Sequence, residues 1–100
     1  MAKVFLAEKN SKYNLSSANK FGKLVFLSEE QLNPFNTAEI AALFMTGLQQ
    51  FNPKVDFICL TGASSVICIF LAVAVKLYGS VKILMFDARE TQYRERIIDI

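Results

Sequence analysis

The chain contains no histidine and no tryptophan, and only two cysteines, two prolines and four glycines among its 100 residues. Without histidine it lacks the commonest general base and the commonest metal ligand of proteins. Cys59 and Cys68 lie in apolar segments without the Cys-X-X-Cys spacing of zinc and redox sites. We therefore predict buried free thiols in a reducing compartment, with no metal and no cofactor.

Long hydrophobic runs are also scarce. The longest, 66–75, has ten apolar residues, whereas a helix needs about 20 to cross a bilayer. A wider window, 57–81, admits several polar residues and Lys76, so a membrane span is only the minor alternative. The first ten residues have too short an apolar core for a signal peptide. We expect a cytoplasmic protein with no membrane partner.

What the chain does have is apolar material. Hydrophobic residues make up 53% of it, and phenylalanine alone occurs nine times. A chain of this length forms a single domain, here residues 1–100, and buries only about 60–65% of its unfolded surface. The excess predicts an oligomer that buries part of it. The net charge is only +2, and no row of aromatics interleaves the basic residues, so we predict no binding to DNA.

Hydrophobic periodicity predicts alternating strands and helices. Strands are expected at 3–7, 23–28, 54–60 and 80–88, helices at 37–50 and from Ser65 to Tyr78, and an edge strand at 93–98. Asn36 and Glu39 have the spacing of a helix capping box. Residues 8–22, rich in Asn, Ser and Lys, are expected to form a loop. This order predicts an α/β fold, a small Rossmann-like domain with a largely parallel sheet flanked by two main helices. The pairing of the first two strands stays open between a hairpin and a parallel pair.

The segment Thr61–Ser65, TGASS, interrupts the most apolar part of the chain. It follows a predicted buried strand and opens a helix, where free backbone N–H groups and the helix dipole favour anions. Gly62 would allow close backbone approach, and the hydroxyls of Thr61, Ser64 and Ser65 would add donors. The alternative is an ordinary strand-to-helix turn, for which Gly and Ser are common residues.

The segment from Asp56 to Ala88 resembles the C-terminal core of CARF domains, the CRISPR-associated Rossmann-fold sensors of cyclic oligoadenylates. Thr61-Gly62 and Ser64-Ser65 match the turn of that family, Phe86-Asp87 matches its strand end, and Ala63 replaces its second glycine. The resemblance covers about a third of the chain. It implies a two-fold homodimer that binds a cyclic oligoadenylate across its axis, as small ring nucleases do.

The resemblance also implies a site. Ligand-binding residues would be Asn10, Tyr13, Asn14, Thr61, Gly62, Ala63, Ser64, Ser65 and Arg89. Ser11 and Lys12 would be catalytic in a metal-independent cleavage, in which a 2′-hydroxyl held in line attacks its own phosphodiester. One alternative is a sponge or sensor that binds the nucleotide without cutting it. The other is a non-nucleotide interaction module whose apolar helices pack on a partner.

Overall fold

The computed structural model describes residues 1–10 and 12–99, and this part of the chain contains five strands and two α-helices. In chain order they are β1 (Lys3–Leu6), β2 (Lys23–Phe26), α1 (Thr37–Gly47), β3 (Phe57–Cys59), α2 (Ser64–Tyr78), β4 (Ser80–Asp87) and β5 (Gln92–Asp99). Short 3-10 turns lie at Asn19–Phe21 and Leu48–Gln50. The predicted α/β class is confirmed, and each predicted element is present, with strand ends shifted by a few residues.

The strands form one sheet in the order β2-β1-β3-β4-β5. β1 pairs in parallel with β2 and with β3, β3 pairs in parallel with β4, and β5 is antiparallel to β4. The first two strands are therefore a parallel pair, with Lys3 opposite Lys23 and Leu6 opposite Phe26. The chain runs outward from β1 in one direction and from β3 in the other, so the topological switch point of a doubly wound sheet lies between these two strands.

The two helices cover one face of the sheet, and the polar loop covers the other. The helix-side core contains Phe5, Ile40, Phe44, Leu48, Phe51, Ile58, Val66, Phe70, Val73, Val81 and Ile83. On the opposite face, apolar residues of the loop between β1 and β2 pack over the sheet: Leu15, Ala18 and Phe21 cover Val4, Leu6, Phe57, Cys59, Leu84 and Tyr93. The loop thus occupies the layer that a crossover helix fills in larger doubly wound proteins.

Helix α2 is buried along one side, where Val66, Phe70, Val73 and Ala74 recur at helical spacing. Gly79 ends it with a φ of 79°, a conformation that favours glycine, and its N–H donates to the Val75 carbonyl at 2.7 Å. The β-branched residues of this segment also fit a strand, but the helix forms because its apolar stripe faces the sheet. Within the described residues, no helix is long and apolar enough to cross a membrane.

Helix α1 begins differently from the prediction. Asn36 is its N-cap residue, but its side chain makes no capping hydrogen bond, so the predicted capping box with Glu39 is wrong. The turn before the helix is fixed by Asn33 instead. Its side-chain oxygen accepts the Phe35 N–H at 3.0 Å, and its carbonyl accepts the Asn36 N–H at 3.0 Å. These bonds hold the segment in a turn from which Phe35 points outward.

A buried carboxylate joins the start of β1 to the segment before β3. Asp56 is 3% exposed. One of its oxygens accepts the Lys3 N–H at 2.9 Å, and the other accepts the Asn52 N–H at 2.8 Å. The predicted strand at 54–60 therefore starts later, because Asp56 satisfies backbone donors instead of continuing the ladder.

The β4–β5 hairpin extends beyond the parallel part of the sheet. β4 pairs with β3 over three residues and with β5 over eight. Met85 and Phe86, near the end of β4, are therefore about half exposed. Thr91, in the turn, has a φ of 55°, an unfavourable conformation for a β-branched residue.

The two thiols differ in burial. Cys59 is buried within β3, as predicted, whereas Cys68 lies on the exposed side of α2. The prediction of a buried thiol at position 68 is wrong, because the apolar run around it is a helix with one side in solvent.

Candidate functional site

A cleft of about 360 Å³ lies at the carboxyl ends of β3 and β4. Its lining residues are Lys12, Tyr13, Asn14, Leu60, Thr61, Gly62, Phe86 and Tyr93. The position is the one expected for a doubly wound sheet, where ligands bind beyond the carboxyl ends of the strands next to the switch point. The cleft joins two segments singled out in the sequence, the polar loop and the TGASS turn.

Short-range hydrogen bonds shape the loop side of the cleft. The Asn10 side-chain oxygen accepts the Lys12 N–H at 3.0 Å, and that of Asn14 accepts the Ser16 N–H at 3.0 Å. Such asparagine turns allow a chain without regular structure to reverse direction. They bring Lys12, Tyr13 and Asn14 to the cleft. Ser11, predicted to be catalytic, lies outside the described residues.

The hydroxyl of Thr61 has a partner inside the protein. Its Oγ1 lies 2.7 Å from the Tyr93 hydroxyl and 3.5 Å from the Cys59 sulfur. Tyr93 is in turn fixed by the loop, because its N–H donates to the Ser17 hydroxyl at 3.3 Å. Thr61 therefore joins β3 to β5, whereas the sequence predicted it as a free donor for a ligand.

Gly62 is required for its backbone conformation. Its φ is 142°, which side-chain-bearing residues rarely adopt. A Cβ at this position would meet only Ile67 at 3.5 Å and a Glu8 oxygen at 3.7 Å, which are ordinary contacts. Glycine is therefore required here by the backbone angle and not by crowding from neighbouring protein atoms.

Glu8 makes the turn a poor anion cradle. It is 6% exposed, and one of its oxygens accepts the Leu32 N–H at 2.5 Å, which ties the end of β1 to the segment before α1. Its other oxygen faces Gly62. A phosphate at Gly62 would lie beside this carboxylate in a partly desolvated place, where like charges repel strongly.

The remaining predicted ligand residues lie outside the cleft. Ala63, Ser64 and Ser65 are exposed at the start of α2, and Asn10 borders a neighbouring depression with Lys9 and Phe26. Arg89 is in the turn of the β4–β5 hairpin.

The lysines of the loop do not converge. Lys12 lines the cleft, but Lys9 lies over the Phe26 ring and 3.7 Å from a Glu29 oxygen. Lys20 lies over the Phe21 ring. Of these three lysines, only Lys12 lines the cleft.

Burial controls the protonation of the groups beneath the cleft. Desolvation raises the pKa of the Cys59 thiol, although a hydrogen bond with Thr61 opposes the shift. Desolvation also raises the pKa of Tyr93. Both groups are neutral at physiological pH, so neither is an activated nucleophile. In the described part of the chain, no group of three or more acidic or cysteine residues is placed to hold a metal ion.

Sequence reasoning missed the aromatic wall of the cleft. Phe86 and Tyr93 are directly opposite each other in the hairpin, with ring centroids 5.2 Å apart. The sequence contains a signal for this pair, because Phe86 and Tyr93 lie in two strand-like segments that flank a polar turn. Glu8 was counted only as the first residue of the loop.

A second concave surface lies on the helix-side face of the hairpin. This arginine groove, of about 450 Å³, is lined by Met85, Phe86, Asp87, Ala88, Arg89, Arg94 and Arg96. The Arg94 Nε lies 2.6 Å from an Asp87 oxygen, and this bond lowers the pKa of the Asp87 carboxyl. Arg89 and Arg96 contribute the remaining positive charge around Met85, which is 47% exposed.

The sheet order, with a cleft at the carboxyl ends of β3 and β4, defines a small doubly wound α/β protein. Comparison with protein families then identifies the family: residues 2–100 match the model of the Phage Pam3 gp32-like protein family, and the chain belongs to that family. The comparison with curated proteins found no match.

This assignment corrects the prediction from resemblance. The chain is a member of a phage protein family, and nothing places it among CARF domains. The predicted binding and cleavage of cyclic oligoadenylates is overturned with it, as is the sponge alternative. The similarity of the TGASS segment is explained by the general chemistry of strand-to-helix turns, since Gly62 serves a local backbone conformation and Thr61 an internal hydrogen bond. The predicted homodimer stays a prediction.

Proposed function

We propose that this phage-family protein works by binding another protein, and that the arginine groove receives an apolar side chain flanked by carboxylates. The observation that carries the proposal is the half-exposed Met85 at the base of the groove, surrounded by three guanidinium groups. Methionine and arginine are both enriched where proteins contact one another, and a guanidinium binds a carboxylate with two parallel hydrogen bonds.

The position of the groove supports the binding of a protein there, in preference to ligand binding in the cleft at the ends of β3 and β4. The hairpin extends past the core, so a partner can reach Met85 without displacing a packed element. Arg89 and Arg96 are exposed, and neither needs to break an ion pair with a described residue to accept a carboxylate. Arg94 keeps Asp87 as its partner. Arg96 donates one N–H to the Glu95 carbonyl at 2.6 Å, and its other N–H groups and those of Arg89 can bind a carboxylate beside Met85.

A peptide-binding measurement tests the proposal. The probes are a fluorescent peptide with one phenylalanine flanked by glutamates, the same peptide with alanine for phenylalanine, and a third with lysines for the glutamates. We expect the first to bind about tenfold more tightly than either of the others, which corresponds to ~1.4 kcal/mol. The affinity should fall as salt is added, since exposed charges contribute to it.

Protein variants assign that binding to the groove. Arg89→Glu combined with Arg96→Glu should abolish the preference for the acidic peptide, whereas Lys76→Glu, at the far end of α2, changes charge away from the groove and should leave it intact. Equal affinity for all three peptides would overturn the proposal. Preferential binding of a single-stranded oligonucleotide by the same arginines would also overturn it and would indicate a phosphate-binding surface.

A further inference from the structure

An exposed aromatic residue lies in the turn before α1, outside the β4–β5 hairpin that carries the arginine groove. Phe35 is 89% exposed. The Asn33 turn holds its backbone in place, with the Phe35 N–H bonded to the asparagine side chain at 3.0 Å. A phenylalanine buries about 150–250 Å² when it enters a protein surface, so a fixed and exposed one is a strong candidate for an anchor.

The chain segment that contains Phe35 is acidic. Residues 27–51 contain Glu29, Glu30 and Glu39 and no lysine or arginine. Lys9 lies 3.7 Å from Glu29, but both side chains are largely exposed, and such a pair contributes little. Phe35 with its glutamates therefore has the chemistry that the arginine groove is proposed to recognise.

We infer that the partner is a second copy of this chain, with Phe35 of one molecule seated in the arginine groove of the next. This inference rests on the proposed function, because it uses the same groove. The unlike charges of the two surfaces favour the contact: Glu30 and Glu39 of one copy meet Arg89 and Arg96 of the other. Phe35 would cover Met85 at the floor of the groove.

Phe35 and the arginine groove are separate surfaces of one molecule, because Phe35 precedes α1 whereas the groove belongs to the β4–β5 hairpin. Each contact therefore needs Phe35 of one copy and the groove of another. Two copies related by a two-fold axis make two such contacts with each other, and copies related by another rotation form rings or open chains.

Complementation between two variants tests the inference. Sedimentation velocity of the wild-type protein over a concentration series should show a dimer or larger species whose fraction rises with concentration. Phe35→Ala removes the anchor, and the Arg89→Glu, Arg96→Glu variant removes the groove. Each variant alone should be monomeric, because every contact in the assembly needs both surfaces. An equimolar mixture should form a heterodimer and nothing larger, since it retains one anchor and one groove.

Controls separate this contact from other self-association. Ile97→Ala removes a side chain on β5 that is 62% exposed, and it should assemble as the wild type does. Persistence of wild-type assembly in Phe35→Ala, or its loss in Ile97→Ala, would overturn the inference. A wild-type protein that stays monomeric while binding the acidic aromatic peptide would overturn the inference alone and leave the proposed function standing. Unchanged circular dichroism of each variant shows that the fold is intact.

Discussion

Replacement of Asp56 by alanine is expected to be among the most destabilising single changes in this protein. The buried carboxylate accepts two backbone N–H groups, those of Lys3 and Asn52. A hydrogen bond to a charged group contributes about 1.5–3 kcal/mol, so losing both removes about 3–6 kcal/mol before relaxation. Asn52 is exposed, and water replaces part of its lost bond. We therefore expect a loss of about 3–4 kcal/mol, a large share of the ~5–15 kcal/mol of a small domain.

Urea denaturation followed by circular dichroism measures this loss. Asp56→Asn keeps the shape and one acceptor oxygen but turns an NH₂ group toward a backbone donor, so it should lose about 2 kcal/mol. Asp99→Ala is the matched control, because that aspartate is exposed on β5 and should change stability by less than about 0.5 kcal/mol. Hydrogen exchange at the Lys3 amide should accelerate in Asp56→Ala. If Asp56→Ala cost no more than Asp99→Ala, the stabilising role assigned to the buried carboxylate would be refuted.

Three further predictions follow from backbone conformation and burial. Gly22→Ala should lower the free energy of unfolding by roughly 3 kcal/mol, because its Cβ would lie against the Ala2 carbonyl. Gly79→Ala, which has open space around it, should lower it by only about 1–2 kcal/mol. Equal losses of unfolding free energy in urea denaturation would contradict the steric argument. Burial raises the pKa of Cys59 above its ordinary 9.0, so the unfolded thiol ionises first as the pH rises. The free energy of unfolding should therefore be constant below that pH and fall above it by up to about 1.4 kcal/mol per pH unit. In Cys59→Ala the free energy of unfolding should fall less steeply with pH. The same slope in both proteins would show that the Cys59 thiol is not the cause. Thr91→Gly should raise the thermal midpoint, with a gain of up to about 1 kcal/mol, because glycine relieves the φ of 55°; Thr91→Val keeps the strain and should gain nothing, and equal midpoints for the two variants would exclude this cause.

The fold could be predicted because its signals are local. The apolar stripe of α2, the glycine at its end and the continuous apolar residues of β3 each lie within a short window of sequence. Such windows identify a helix or a buried strand without knowledge of the rest of the chain. The parallel pairing of β1 with β2 could not be chosen, because both candidate pairings bury the same residues.

The candidate site was predictable only in part. The loop at 12–14 and the turn at 61–62 were identified by composition, and they do line one cleft. The role of Thr61 could not be predicted, since its hydroxyl bonds to Tyr93, 32 positions away in sequence. The exposure of Phe35 could not be predicted either, because nothing local distinguishes an exposed phenylalanine from the buried ones.

The pairing of the sheet has a consequence for how the chain folds as it is made. The β4–β5 hairpin is joined by a short turn and can close within microseconds once it is complete. β1 pairs with its inner neighbour, β3, much later, because some fifty residues separate the two strands. Closing that distance before any contact forms is slow. On the ribosome, the apolar residues of β1 therefore stay unpaired on that side until more than half of the chain has emerged, and this is the interval in which the nascent protein is most exposed to aggregation.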